Sequence, residues 1–539
     1  MMHLNTSYTS HSIRDRFRVL STVRHAAAAS VALTLSILSG CDSSDDSAGT
    51  QEQSVARAGT GAPTGGAKGS DDAAKGNDKS LSSVLVTPSG SLQGELAEDA
   101  EANGKQVLIF RGVPYAQPPT GDRRWKAPAP VEAWKTPRDA TQWGNRCPQG
   151  ESTLSSPGPM SEDCLNLNVL TPATKASERL PVMVFFHGGG LSVGTGNSPT
   201  YCHTALPAQG VVVVTVNSRL GAFGYFSHPA LAKESDEKAS GNYGTLDLIE
   251  SLRWVQKNIG AFGGDAENVT IFGESGGGSK VLSCMASPLA KGLFHRAIIE
   301  SGSRSSAPMA TTPRENAEAA GKRVVAKLGV AEDDDTATQL RSKSWEDVLA
   351  ASAAMDVMFT PNLSVDGWVL TQPVDEAFAQ GKQSNVPLIV GANEGEVGEL
   401  KSSIPALAAS MASVTSKAYV YNFTHLPAGW REPGCYAFHG LELPYVFGHM
   451  AGVPGDTIIY LGSRASCNPM KEPMVSDEDE LVAKHTMSIW TQFAKTGDPS
   501  VPGLIEWPAY TAENDSYLAI GAELEVKMGV ATSGKVPGS

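Results

Sequence analysis

From residue 81 onward the chain repeats one pattern: a short run that is apolar at every position, a glycine-rich turn, then a helical stretch. The runs are Pro181-Val-Met-Val-Phe-Phe186, Val211-Val-Val-Val-Thr-Val216, Val269-Thr-Ile-Phe272, Ala297-Ile-Ile299 and Val386-Pro-Leu-Ile-Val390. A strand with one wet face alternates apolar and polar residues. These runs do not, so they suit a parallel sheet covered by helices on both sides. Between them Leu246, Ile249, Leu252, Val255 and Ile259 recur every three or four residues, which predicts a helix face. Val482, Ile489, Trp490, Phe493 and Ala494 predict another near the end. Strand–helix alternation over this length is the signature of an α/β fold. In such sheets chemistry is sited at the carboxyl ends of the strands.

The first eighty residues follow a different rule. Arg14, Arg16, Arg18 and Arg24 make a basic stretch, residues 26–38 are mostly apolar, and Leu38-Ser-Gly-Cys41 follows. Basic, apolar, then small is the order of an export signal, and the apolar run is too short to span a bilayer as a helix. Leu-Ser-Gly-Cys resembles the lipobox of bacterial lipoproteins, so Cys41 is expected to be lipidated and to become the new N-terminus. The alternative is an ordinary secretory signal with a chance cysteine. Residues 42–80 are Ser, Asp, Gly, Ala and Lys with hardly an apolar side chain. Such a segment cannot offset its ordering entropy by burial and is expected to be a disordered tether. The expected organisation is therefore an export signal at 1–41, a tether at 42–80 and one domain at 81–535. The protein is expected to be exported, to the bacterial periplasm or as a membrane-anchored lipoprotein, and otherwise secreted.

Composition narrows the function. A net charge of −14 argues against nucleic acid, whose phosphates need a basic surface. Beyond Cys41 the cysteines are Cys147, Cys164, Cys202, Cys284, Cys435 and Cys467. An even number in an exported chain fits disulfides, with many connectivities open.

The chemistry starts at Gly273-Glu-Ser275-Gly-Gly277, a G-x-S-x-G match. Alone it is weak evidence, because with 55 glycines chance supplies roughly 0.4 such matches per chain. Gly190-Leu-Ser192-Val-Gly194 matches as well. Context separates them, since a nucleophile elbow needs a strand directly before the serine and a helix directly after it. Ser275 follows Val269-Thr-Ile-Phe272 and precedes Lys280-Val-Leu-Ser-Cys-Met285. Ser192 sits between glycine-rich turns. The serine hydroxyl also needs a base, and the oxyanion it creates needs donors. His187-Gly-Gly-Gly190 ends a predicted strand, where successive glycines let backbone N–H groups approach a substrate oxygen.

With these residues in view, the chain resembles the type-B carboxylesterases, the α/β-hydrolase family of the cholinesterases and bacterial para-nitrobenzyl esterases. The resemblance runs from about residue 84 to about 525. It is carried by Phe110-Arg-Gly-Val-Pro-Tyr-Ala-Gln-Pro-Pro119, Ser161-Glu-Asp-Cys-Leu165, Asn217-Ser-Arg-Leu-Gly-Ala-Phe-Gly224, Gly241-Asn-Tyr-Gly244, Phe262-Gly-Gly-Asp265, Phe438-His-Gly-Leu-Glu-Leu-Pro-Tyr445 and Trp507-Pro508. It implies a mostly parallel central sheet flanked by helices, with loop and helical insertions over the active site. It places the base at His439 in a His-Gly-x-Glu motif, to which neither His187 nor His449 belongs. The family's acid lies in G-x-x-x-D-E-G after a strand. Here Val390-Gly-Ala-Asn-Glu394-Gly-Glu396-Val397 departs from that pattern. Ungapped register selects Glu396, and a gap would select Glu394. The oxyanion donors map to Gly189, Gly190 and Gly276. Position 276 is usually alanine in the family, and glycine there is expected to loosen the elbow. Leu191 stands where an aromatic residue is frequent. The family disulfide maps to Cys147–Cys164.

The implied reaction is carboxylic-ester hydrolysis through an acyl-enzyme, with a small-molecule ester as substrate and a membrane touched only through the lipid anchor. No metal or organic cofactor is implied, and no H-e-x-x-h spacing is found among the histidines. The same triad serves carbamate, amide, thioester or polymer-ester hydrolysis, because pocket shape sets acyl specificity. A non-catalytic binding module is the reading from another class, and it would require loss of a triad member. Residues 397–438, rich in Ala, Ser and Met up to Tyr419-Val-Tyr-Asn-Phe423, are expected to form much of the lid and an apolar pocket wall.

Overall fold

The computed structural model describes residues 80–97, 104–151, 158–302, 311–354, 356–357, 359–450 and 474–534. The export signal, Cys41, residues 42–79 of the tether and Cys467 lie outside the described residues. Ser80 is already bridged to Lys175.

Eleven strands form the main sheet. In chain order they are β1 (Glu95–Ala97), β2 (Val107–Pro114), β3 (Asn166–Thr171), β4 (Leu180–Phe186), β5 (Val212–Val216) and β6 (Gly264–Glu274). The remainder are β7 (Arg296–Glu300), β8 (Leu388–Asn393), β9 (Ala418–Phe423), β10 (Ser516–Ile520) and β11 (Leu524–Met528). Their spatial order is β11-β10-β9-β8-β7-β6-β4-β5-β3-β2-β1. From β5 to β10 every pairing is parallel, and the strands at both edges are antiparallel.

The doubly apolar runs are buried on two faces because two separate cores sandwich them. Val182, Val184 and Phe186 of β4 point into one core, and Met183 and Phe185 into the other. On the first face lie α1 (Tyr243–Asn258) and α2 (Gly276–Ala286), which contribute Leu246, Ile249, Leu252, Val255, Val281 and Met285. On the second lie α3 (Leu443–Phe447) and α4 (Asp477–Thr496), which contribute Val446, Phe447, Val482, Ile489, Trp490 and Phe493. Helix α4 starts in a Ser476–Asp479 capping box and stops at Gly497, whose φ of 79° ends the helix.

The register aligns the carboxyl ends that build the site. Phe186 lies opposite Gly273, Glu274 opposite Glu300, and Glu300 opposite Gly391. The turns after β4, β6, β7 and β8 therefore open at one level.

Two expectations need correction. Tyr419-Val-Tyr-Asn-Phe423 is not a lid but β9, buried throughout in the sheet, and Ala408 and Met411 are core residues beneath it. An apolar run that walls a pocket and one that forms an inner strand have the same pattern. The cysteines do not all pair either. Cys147 and Cys164 form a disulfide with their Cα atoms 5.0 Å apart. Cys435 is also disulfide-bonded, but Cys202 and Cys284 are buried free thiols.

The Cys147–Cys164 bridge closes a loop with a sequence separation of 17, next to the 158–165 segment. Loop-closure entropy of that size is worth about 3 kcal/mol. A Cys147→Ser variant should lose about that much stability. A urea midpoint equal to that of the parent protein would contradict this.

Candidate active site

Strand β6 delivers Ser275 into a turn that only a tight backbone approach permits. Ser275 has φ 57° and ψ −121°, a strained conformation for a residue with a side chain. Its N–H donates to the Glu300 carbonyl at 2.8 Å, which ties the turn to the end of β7. A Cβ on Gly273 would lie 2.6 Å from the Gly277 carbonyl carbon, and one on Gly277 would collide with the Phe186 carbonyl. The glycines flanking the serine thus face each other across the elbow. Ser192, in the other G-x-S-x-G match, is an exposed turn residue with no such strain.

The loop after β4 lies against this elbow. Gly189 and Gly190 have φ of 89° and 62°, and the Gly189 carbonyl accepts the N–H groups of Ser192 and Val193. Gly276 does not loosen the packing. A Cβ there would collide with the Gly190 carbonyl and come within 2.5 Å of Gly190 N. The loop backbone occupies the space a methyl group would take. Leu191 is buried beside it.

His439 arrives from the segment after β9. Its Nδ1 stands 2.5 Å from Glu396 Oε1. Glu396 Oε2 accepts from the Asn393 N–H at 2.9 Å and from Ser301 Oγ at 2.7 Å. Glu394 is displaced toward the sheet edge, where it acts electrostatically on Tyr517 and Lys527. A tight turn after β8, with Glu396 N–H donating to the Asn393 carbonyl at 2.9 Å, separates the two carboxylates. The structure brings Ser275, Glu396, His439 and the three glycines together.

It also brings residues to which sequence reasoning assigned no role. Ser301, directly after β7, has φ 47° and also lies 3.0 Å from Glu442 Oε1. Glu442 Oε2 accepts from Asn393 Nδ2 at 2.5 Å. Glu300 accepts from Trp490 Nε1 of α4 at 2.5 Å. Glu442 was within reach, being the last residue of the His-Gly-x-Glu motif. Ser301 had the weaker signal of a small polar residue at a strand end.

The electrostatics are dominated by acid. His439 Nε2 stands 3.3 Å from Glu274 Oε1, the residue before the serine. Burial works against the imidazolium, but the Glu274 and Glu396 carboxylates outweigh it and hold His439 well above its ordinary 6.5. Among the described residues the Ser275 hydroxyl donates to no side chain, and the imidazole faces Glu274 instead. Burial, reinforced by the Glu396 charge, pushes Glu442 up to about 7. Burial also raises Glu300 far above the usual carboxylate range, with the Glu442 charge adding to it.

This geometry agrees with what the chain is similar to. The carboxylesterase family model matches residues 81–406 and 398–534. The para-nitrobenzyl esterase of Bacillus subtilis (strain 168) is 34% identical over 82% of this chain and 96% of that protein. The fumonisin B1 esterase of Sphingopyxis macrogoltabida is 31% identical over 86% and 90%. A solved para-nitrobenzyl esterase structure superposes with a TM-score of 0.71 at 31% identity, covering 82% of this chain and 96% of that one. A Geobacillus stearothermophilus carboxylesterase gives 0.68 at 30% identity, with 83% and 98% covered. The central sheet, the elbow and these relatives together establish that the chain is an ester hydrolase and belongs to the carboxylesterase family.

Proposed function

We propose that Ser275 is the nucleophile, His439 the general base and Glu396 the acid that orients it. The observation that carries this reading is the 2.5 Å contact between His439 Nδ1 and Glu396 Oε1 beside a strained serine elbow. His439 takes the proton of Ser275 as the hydroxyl attacks the ester carbonyl. The imidazolium so formed is stabilised by Glu396, which Ser301 and Asn393 hold in place. The carbonyl oxygen becomes an oxyanion and accepts from the N–H groups of Gly189, Gly190 and Gly276. The alcohol leaves with the proton from His439, and water then cleaves the acyl-enzyme by the same route. The His439 ring must turn from Glu274 toward Ser275 for the first step. Substrates are small carboxylic esters. At the N-terminus, the lipobox-like Leu38-Ser-Gly-Cys41 supports export and lipid anchoring through Cys41.

The test is hydrolysis of para-nitrophenyl acetate, butyrate and octanoate. Ser275→Ala and Glu396→Gln should each lose several orders of magnitude in kcat, while Glu394→Gln stays near the parent. Turnover retained in Ser275→Ala would overturn the nucleophile. Loss in Glu394→Gln with turnover kept in Glu396→Gln would move the acid.

The raised pKa of His439 has a sign that can be checked. Base catalysis needs the neutral ring, so the acid limb of kcat/KM should lie above pH 6.5. Removing the Glu274 charge removes the strongest support for the imidazolium. Glu274→Gln should therefore move the limb to lower pH, and an unmoved or raised limb would show that Glu274 does not act on the ring.

For the N-terminus, the mass of the exported protein should correspond to a chain that begins at a lipid-modified Cys41. A free N-terminus elsewhere would refute anchoring.

A further inference from the structure

Helix α2 carries a lysine where its packing calls for an apolar residue. Lys280 is fully buried, in a helix whose neighbouring residues Val281, Leu282 and Met285 are buried too. Among the described residues no carboxylate pairs with it. Burial alone brings its ammonium down to about 7. An unpaired cation in a core is costly, and the mechanism above leaves this one unused. Among the described residues its side chain makes one hydrogen bond, from Nζ to the His187 carbonyl at 2.9 Å.

That carbonyl is where β4 ends and the glycine loop begins. His187 is itself buried, and its Nδ1 lies 2.8 Å from the Gly188 carbonyl. A carbonyl only accepts, so Nδ1 carries a hydrogen and donates it. Burial, and after it the neighbouring Lys280 charge, keeps His187 well below its ordinary value. The His187 ring and the Lys280 amine together fix the two peptides that lead into Gly189 and Gly190.

The other side of the contact is equally constrained. Gly276 and Gly277, the first residues of α2, pack backbone-to-backbone against Gly190 and Phe186. Two of the three oxyanion donors lie on the loop and the third on the helix. Lys280 is rooted in that helix and holds the loop at its base.

We propose that Lys280 is a positioning residue for the oxyanion hole: by holding the His187 carbonyl, its side chain sets the Gly189 and Gly190 N–H groups against the Gly276 N–H. This rests on the reading of those glycines as the oxyanion donors. Lys280 touches no substrate atom. Its effect belongs to the transition state, where the oxyanion draws on all three donors, and not to ground-state binding.

The experiment compares the parent protein with Lys280→Met, and with Lys280→Leu in case the methionine variant does not fold. It measures kcat and KM on para-nitrophenyl butyrate and the inhibition constant of an alkyl trifluoromethyl ketone, whose tetrahedral adduct places an oxyanion in the hole. Misplaced donors should lower kcat about 10- to 100-fold and weaken the ketone by a similar factor, with KM nearly unchanged. A folded variant with parent kcat and parent ketone affinity overturns the proposal. So does a variant in which KM and thermal stability suffer while the ketone binds as before, since that is packing and not positioning. If neither variant folds, Lys280 is a core residue only and the proposal falls. Failure of the underlying reading looks different: the ketone would then not inhibit the parent protein, or Ser275→Ala would bind it as tightly as the parent.

Discussion

The site depends on one contact, the approach of backbone to backbone where β6 turns into α2. Side chains normally keep a helix well clear of a neighbouring strand end. Here Gly277 lies on the Phe186 carbonyl and Gly276 on Gly190. The strain of Ser275 is tolerated because the turn is held on both sides, by the Glu300 carbonyl and by the start of the helix. The closeness places a hydroxyl from one strand and N–H groups from another around a single reacting atom. It also closes the gap that a bulkier residue at position 276 would need, so the elbow and the glycine loop form one packed unit.

Around that unit the chain gathers more acid than one imidazole needs. Glu274, Glu396 and Glu442 act on His439, Glu300 lies beside Glu442 and Glu274, and most of the four are buried. Four like charges at this depth would repel strongly, and the structure divides their roles. Glu396 accepts from a hydroxyl and a backbone N–H, which hold its carboxylate in place. Glu300 and Glu442 are raised by burial. Ser301 has one hydrogen and two carboxylate neighbours, so its proton and that of Glu442 are set together. The carboxylate that faces His439 is thus held among neighbours whose protons are set by burial.

The sequence was most legible where one physical rule acts alone. Runs apolar on both faces became inner strands, and three- and four-residue spacing became α1 and α4. The same rule misled at Tyr419–Phe423, because an inner strand and a pocket wall bury the same residues. The elbow could be read from its strand and helix, although its motif alone could not select it over Ser192. The acid was chosen only by an ungapped register, which favoured Glu396 over Glu394. Glu394 and Glu396 would share a face if β8 ran on, but the turn after Asn393 breaks that parity and sends them apart. Glu442 was named by its motif but not its partners, and Ser301 was hidden, because Asn393, Glu396 and Ser301 meet from separate strand ends far apart in the chain. Cysteine count proved a poor guide to pairing, since Cys202 and Cys284 are each buried as free thiols.

The order in which the parts occur along the chain governs when the protein can work. The glycine loop and the serine come first, the carboxylate later, and the imidazole later still. The segment holding that imidazole leads into α3, which packs on α4, near the end of the chain. Synthesis therefore completes the serine elbow long before the segment that carries His439. Until the C-terminal helix docks, the segment that carries His439 lacks the surface on which its own helix packs.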